Sequence, residues 1–199
     1  MKISISSYAS SINHPTPQQI AAWAEAIRAS DRKAYAALYD AFYEPLLRYA
    51  WTLTRDKETS YDILHDVFER LWTMRARLDP NRSVKALLFR MVRNDSFKSK
   101  RRKKFEQTLL DGPAPPYLEA ATDQVLDAAF LEVSINAWIE EMPVRRREVF
   151  ELSRISGMSH QEISSVLGLS IKTVNNHLVN ALRYLRKRLE EYGIDPRHL

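Results

Sequence analysis

Lys172, Thr173, Asn175, Asn176, His177, Asn180 and Arg183 recur at helical spacing beside the apolar set Ile171, Val174, Leu178, Ala181, Leu182, Leu185 and Leu189. Amides, a hydroxyl, an imidazole and cations with no carboxylate among them can bond base edges and phosphates without repelling either. The pattern starts at a sharp corner. Upstream, Ser159 and Glu162 have the spacing of a capping box, and Ile163, Val166 and Leu167 supply an inner face. Gly168 then allows a left-handed or a close-packed turn, and Ser170 can cap the next helix. A short helix, a tight glycine turn and a longer helix with a polar outer face predict a DNA-binding helix-turn-helix.

Two further constellations lie upstream. Residues 98–104, KSKRRKK, hold six cations in seven positions, and Arg183, Arg186, Lys187 and Arg188 form a second cluster. The formal charge is only +5, from 30 basic and 25 acidic residues, so two local basic sites on a nearly balanced chain point to a polyanion touched at two places. Arg93, Lys98, Lys100, Arg101 and Arg102 can hold phosphates with counterion release. Phe97 has two readings: a core aromatic, or a platform stacking on an unpaired base, worth about 1–3 kcal/mol. The other constellation is Asp62, His65, Asp66 and Glu69, which fall off the stripe Leu64, Val67, Phe68, Leu71 and Trp72. Such a face can pair with cations on a partner helix. A metal site is not expected there, because no fourth ligand or catalytic base accompanies Asp62, His65 and Asp66. The five histidines are scattered (14, 65, 160, 177 and 198), against the clustering a helical hydrolase or nuclease needs. No catalytic residue and no cofactor is expected.

The elements that position these residues are helices. Glycine is scarce, at 4 residues, and period-two runs of β-branched residues are missing, so the fold class is all-α. Helices are expected after Pro17, and after Ser30 or Asp31 as a cap, with Pro45 kinking or dividing the stripe Tyr35, Leu38, Tyr39, Phe42, Leu46, Tyr49, Ala50 and Leu53. A break at LDPNRS precedes a helix opened by Val84, Leu87, Leu88, Met91 and Val92 that runs into the basic tract. DGPAPPY, at 111–117, is the clearest linker. Beyond it Val125, Leu126, Ala129, Phe130, Val133, Ile135, Trp138, Ile139 and Met142 open a second unit, followed by a helix after Pro143 that Gly157 ends. The expected organisation is a disordered tail at 1–16, a helical bundle at 17–106, a Pro-rich linker at 107–122, a helix-turn-helix domain at 123–192 and a tail at 193–199. Cysteine is absent, and neither a signal-peptide core nor a run of about 18 apolar residues occurs. A soluble cytoplasmic protein without membrane insertion is expected.

The segment MPVRRREVFELSRISGMSHQEISSVLGLSIKTVNNHLVNALRYLRKRL, 142–189, closely resembles the C-terminal domain of extracytoplasmic-function (ECF) sigma factors of bacterial RNA polymerase. It also resembles the DNA-binding domain of LuxR-type regulators, which share the corner but would need an upstream α/β domain. The N-terminal half distinguishes the two. LYDAFYEPLLRYAWTLTRDKETSYDILHDVFERLW, 38–72, looks like the ECF domain that clasps the polymerase; Asp62, Phe68 and Trp72 fit its pattern, while Ser60, Tyr61 and His65 depart from it. SVKALLFRMVRNDSFKSKRRKK, 83–104, resembles the segment that melts promoters and reads the −10 element, matching at Arg90, Arg93, Asn94 and Arg101 and departing at Leu87 and Lys98.

The resemblance spans about residues 20 to 190 and implies a sigma factor that directs core RNA polymerase to promoters and assists melting at initiation. It implies that Asp62, His65, Asp66 and Glu69 touch the clamp helices of the largest polymerase subunit. Arg90, Arg93, Asn94, Phe97, Lys98, Arg101 and Arg102 would serve the −10 region. Ser170, Lys172, Thr173, Asn175, Asn176, His177, Asn180 and Arg183 would read the −35 element. The implied partners are core polymerase, promoter DNA and an anti-sigma factor. The rival from the residues alone is a self-standing helix-turn-helix regulator, which would grip duplex DNA unaided.

Overall fold

Thr16 opens the first helix with a reciprocal cap: its hydroxyl accepts from the Gln19 amide while the Gln19 side chain accepts from the Thr16 amide. In this computed structural model, which describes residues 15–109 and 127–194, eight α-helices and no strand are present among the described residues. Residues 1–14, 110–126 and 195–199 lie outside them, and with these most of the expected tails and linker, as well as Val125 and Leu126. The helices are α1 Pro17–Arg28, α2 Arg32–Thr54, α3 Lys57–Thr73, α4 Val84–Leu109, α5 Asp127–Glu141, α6 Val144–Arg154, α7 His160–Leu167 and α8 Ile171–Glu191. By proximity α1–α4 form one compact unit and α5, α6 and α8 belong to the other; residues 161–169 group with the first. Among the described residues no helix is long and apolar enough to cross a membrane.

In the first unit each helix begins where a side chain satisfies orphan amides. Asp31, not Ser30, caps α2, accepting from the Lys33 and Ala34 amides at 2.7 and 3.2 Å. Asp56 caps α3 through the Thr59 amide at 2.8 Å. Ser30 itself takes φ of 67° in the corner between α1 and α2. The core is built from Ile27 of α1, Leu38, Leu46 and Ala50 of α2, Leu64, Val67 and Leu71 of α3, and Leu88, Phe89 and Val92 of α4, all essentially inaccessible. Tyr49 and Phe89 meet at 5.3 Å between ring centroids, and the Tyr35 hydroxyl donates to the Phe68 carbonyl at 3.0 Å. Pro45 does not divide the expected stripe: α2 continues through it for 23 residues, because buried Phe42 and Leu46 hold both sides against the same core. Tyr39 leaves the stripe and is exposed. α4 runs on to Leu109, beyond the boundary expected at 106.

In the second unit, α8 packs against α6 and α5. Its buried stripe is Val174, Leu178, Ala181, Leu185 and Leu189, facing a core that includes Trp138, Met142, Val149, Phe150 and Leu152. Leu182 is half-buried and Ile171, expected on the inner face, is 53% exposed; it sits at the first helical position, beyond the last layer of the core. Val133, counted with the apolar run that opens the unit, is exposed as well. At the far end of α8 the Tyr184 hydroxyl donates to Glu141 at 2.7 Å, and Arg188 pairs with the same carboxylate while its guanidinium covers the Tyr184 ring. The Tyr184 hydrogen bond and then the Arg188 pair lower the Glu141 carboxyl pKa.

The turn into α8 resolves the two readings of Gly168. Its φ is +66°, and a Cβ placed there would meet nothing within 4 Å, so the position demands left-handed backbone and not close approach. The Ser164 hydroxyl closes the turn by donating to the Leu169 carbonyl at 2.6 Å. Gly168→Ala should therefore lower the opening free energy of α8 by about 1–2 kcal/mol, the left-handed cost alone, and Gly168→Asn by less. Amide hydrogen exchange along α8 of the full chain measures this. A much larger loss for Ala would mean a steric clash, and the left-handed account would be wrong.

Candidate nucleic-acid interface

The recognition face of α8 follows from its cap and its buried stripe. The Ser170 hydroxyl accepts from the Thr173 amide at 3.1 Å and is hydrogen-bonded to the Thr173 hydroxyl at 2.8 Å, fixing the first turn. Burial of Val174, Leu178, Ala181 and Leu185 then turns Lys172, Asn176 and Arg183 directly outward, where all three are exposed. Asn175 is exposed on one flank. Thr173 and His177 are half-buried on the other. Asn180 is also half-buried, and its side-chain oxygen accepts from Arg183 at 2.9 Å, so these two act as one unit. From Ser170 to Leu189 there is no carboxylate. The first carboxylates are Glu190 and Glu191, and Glu191 pairs with Lys187 and Arg188 at 3.7 Å. All eight residues expected here thus lie on one helix end and its solvent side.

The second face is on α4. Arg90, Asn94, Phe97 and Arg101 fall on one row, at steps of four, three and four residues, with Arg93 on one flank and Lys98 and Arg102 on the other. Arg90, Asn94, Lys98, Arg101 and Arg102 are exposed. Of the two readings of Phe97, the core reading fails: the ring is 36% exposed, with the Arg93 guanidinium 4.8 Å from its centroid. Leu87, one of the departures from the family pattern, is half-buried.

The basic tract is not uniform. Lys103 points away from the Arg90–Arg101 row and donates to the Asp56 carboxylate at 2.7 Å and to the Thr59 hydroxyl at 2.8 Å. It ties the C-terminal part of α4 to the start of α3, a pairing the count of cations does not reveal. The signal was present only as Asp56 at an N-cap position beside a polar connection. Arg70 and Asp95 join α3 to α4 a second time at 2.5 Å.

The third face is on α3. Asp62, His65, Asp66 and Glu69 follow the i, i+3, i+4, i+7 pattern and are all exposed, opposite buried Ile63, Leu64, Val67 and Phe68. Next to them, Tyr61 and Trp51, each 41% exposed, line an apolar groove of about 320 Å³ with Leu47, Arg48 and Lys57. Their exposure has no periodic signal, since Trp51 lies inside the apolar stretch 49–53 and Tyr61 falls just before the α3 stripe. Among the described residues no group of three or more His, Asp or Glu is placed to hold a metal ion.

Fold and faces define a two-unit helical DNA-recognition protein. A family model described as Sigma-70 region 2 matches residues 38–106, and one described as Sigma-70, region 4 matches residues 133–185. The chain is 28% identical over 167 residues to the ECF RNA polymerase sigma factor SigL of Mycobacterium tuberculosis, covering 83% of this chain and 94% of that one. It is 30% identical over 138 residues to the RNA polymerase sigma factor CnrH of Cupriavidus metallidurans, covering 65% and 72%. Among solved structures, CnrH in complex with the cytosolic domain of CnrY matches with a TM-score of 0.60 at 24% identity, over 87% of this chain and 98% of CnrH. The sigma factor RpoE of Bartonella quintana, in complex with the anti-sigma factor NepR, matches with a TM-score of 0.60 at 18% identity, over 79% and 98%. The chain belongs to the sigma-70 family of RNA polymerase sigma factors and is of the ECF type. It functions in transcription initiation, directing core polymerase to promoters.

The tie between α3 and α4 has a pH signature. The hydrogen bond from Lys103, followed by those from the Thr59 amide and hydroxyl, lowers the Asp56 carboxyl from 3.8 to about 2. A lowered carboxyl pKa gives stability that is complete above about 3.8 and lost as pH falls through about 2. Lys103→Met should move the Asp56 titration, followed by side-chain NMR of the full chain, back toward 3.8. Asp56→Asn keeps a capping oxygen, so it should remove acid sensitivity in that window while leaving α3 formed. An Asp56 titration indifferent to Lys103→Met would rule the tie out in solution.

Proposed function

We propose that the three exposed faces divide the work of a sigma factor: α3 docks on core polymerase, α4 captures the melted −10 strand, and α8 reads the −35 duplex. The observation that carries this reading is the segregation of charge among exposed helix faces. The α3 face presents Asp62, Asp66 and Glu69 with His65, whereas the α4 row presents Arg90, Asn94 and Arg101 and α8 has no carboxylate between Ser170 and Leu189. Carboxylates would be repelled by DNA phosphates but attract a basic partner helix. Exposed Phe97 under Arg93 supports single-strand capture, since an aromatic face and a cation beside a phosphate track suit an unpaired base.

Each DNA contact alone is weak, and assembly on the polymerase fixes their separation and makes the second contact effectively intramolecular. Catalysis belongs to the polymerase; the chain itself is not an enzyme, and it acts in the cytoplasm where the polymerase is. An anti-sigma factor is the proposed regulator, a reading supported by the two solved sigma factors in complex with CnrY and NepR.

Run-off transcription with purified core polymerase tests the division. Asn176→Ala should lower initiation at a −35-dependent promoter about tenfold with core association unchanged, as for loss of one amide–base pair. Asp62→Ala should weaken core association severalfold in a pull-down and leave promoter preference intact. Loss of the same step by both variants would end the proposal.

A further inference from the structure

Two branched aliphatic side chains stand exposed on the helix proposed to read the −35 element. Ile171 is 53% exposed and Val179 44% exposed, while every other leucine, isoleucine or valine of α8 is buried or half-buried. Neither contributes to the core, and β-branched residues on a solvated helix surface are weaker helix formers than the polar alternatives. With Asn175 they form one ridge at steps of four residues, Ile171–Asn175–Val179, which spans about 12 Å of helix axis. That length covers about three to four base pairs.

The surroundings of the ridge select its occupant. Lys172, Asn176 and Arg183 lie beside it, exposed, and no carboxylate occurs from Ser170 to Leu189. The apolar groups are therefore set into a surface built for a polyanion. The apolar feature that duplex DNA offers in the major groove is the thymine C5-methyl group, and the matching partner for an Asn side chain is the N6/N7 edge of adenine. Ile171 occupies the first helical position, at the end of a recognition helix that enters the groove.

We propose that Ile171 and Val179 seat on thymine methyl groups on either side of an adenine bonded by Asn175, making the ridge the A·T-selecting part of the −35 contact. The inference rests on the reading of α8 as the −35 helix and adds to it the base composition the helix prefers. Ile171 and Val179 are then specificity residues that the polar face alone does not supply.

Uracil in place of thymine removes the methyl group and nothing else, so it probes this contact directly. Holoenzyme assembled with core polymerase first selects promoters from duplexes randomised across the −35 region. Thymines of the selected element are then replaced by uracil one at a time, and the affinity of holoenzyme for each duplex is measured by competition. With the native chain, one uracil should cost about fourfold, the transfer value of one carbon group, and a second about three to four base pairs away a similar factor. Ile171→Ala should abolish the first sensitivity and Val179→Ala the second, each leaving the other in place. Both sites are exposed, and alanine favours helix, so the fold is preserved. Uracil effects that persist unchanged in both variants, or native holoenzyme indifferent to every uracil, would overturn the ridge assignment while leaving −35 reading intact. Selection that yields no −35 preference at all would instead overturn the reading of α8, and the ridge with it.

Discussion

The buried stripe Val174, Leu178, Ala181, Leu185 and Leu189 fixes the rotation of α8 about its own axis, and both proposals about duplex reading by this helix depend on that angle. A helix free to turn by one residue, 100°, would carry Asn176 from solvent toward its flank and bring a different set of side chains forward. Both ends of the helix are secured. Gly168 in left-handed backbone and the Ser170 cap define where α8 starts, and Glu141 holds Tyr184 and Arg188 near where it stops. Among α5, α6 and α8, packing supplies the rigidity that base readout requires.

The first unit follows the same logic with opposite charges. α3 and α4 share a core of Leu64, Val67, Leu71, Leu88, Phe89 and Val92, so their outward faces are set by what they bury. The outward face of α3 is acidic and that of α4 basic, and the two are kept in register by Lys103 with Asp56 and Arg70 with Asp95. Exposed ion pairs of this kind add little to stability, about 0–1 kcal/mol each. Their effect here is to decide which cations of a crowded tract lie beside the Arg90–Arg101 row. Lys103 is withdrawn from the seven-residue run, and Lys98, Arg101 and Arg102 stay exposed.

Helix positions were legible in the chain where apolar periodicity and caps agree: Asp31 and Ser170 each sit just before an apolar period and each accepts an early amide, whereas Asp56 caps α3 from within a polar stretch. The polar face of α8 was legible for the same reason. What periodicity missed lies where a helix outruns its core. Ile171 has the right phase for burial but comes one turn too early, so nothing covers it. Val179 stands next to buried Leu178 but one residue out of phase with the stripe, so its exposure shows only in the folded helix. Phe97 could not be assigned from its type, since an aromatic suits a core as well as a stacking platform; only its exposure beside Arg93 separates the two. The partner of Lys103 lies 47 residues away in sequence, beyond the reach of any local rule.

Pro45 carries a different implication. It has no amide hydrogen to offer the carbonyl four residues earlier, Ala41, and interior proline costs a helix about 3 kcal/mol. Taken out of the bundle, α2 would fall into two pieces of roughly a dozen residues or fewer, each at or below the length at which a helix persists in water. Its continuity is therefore borrowed from Leu38, Phe42, Leu46 and Ala50 pressed against α3 and α4. The amides on both sides of the proline should therefore open together, since this 23-residue helix persists only while the whole bundle is closed.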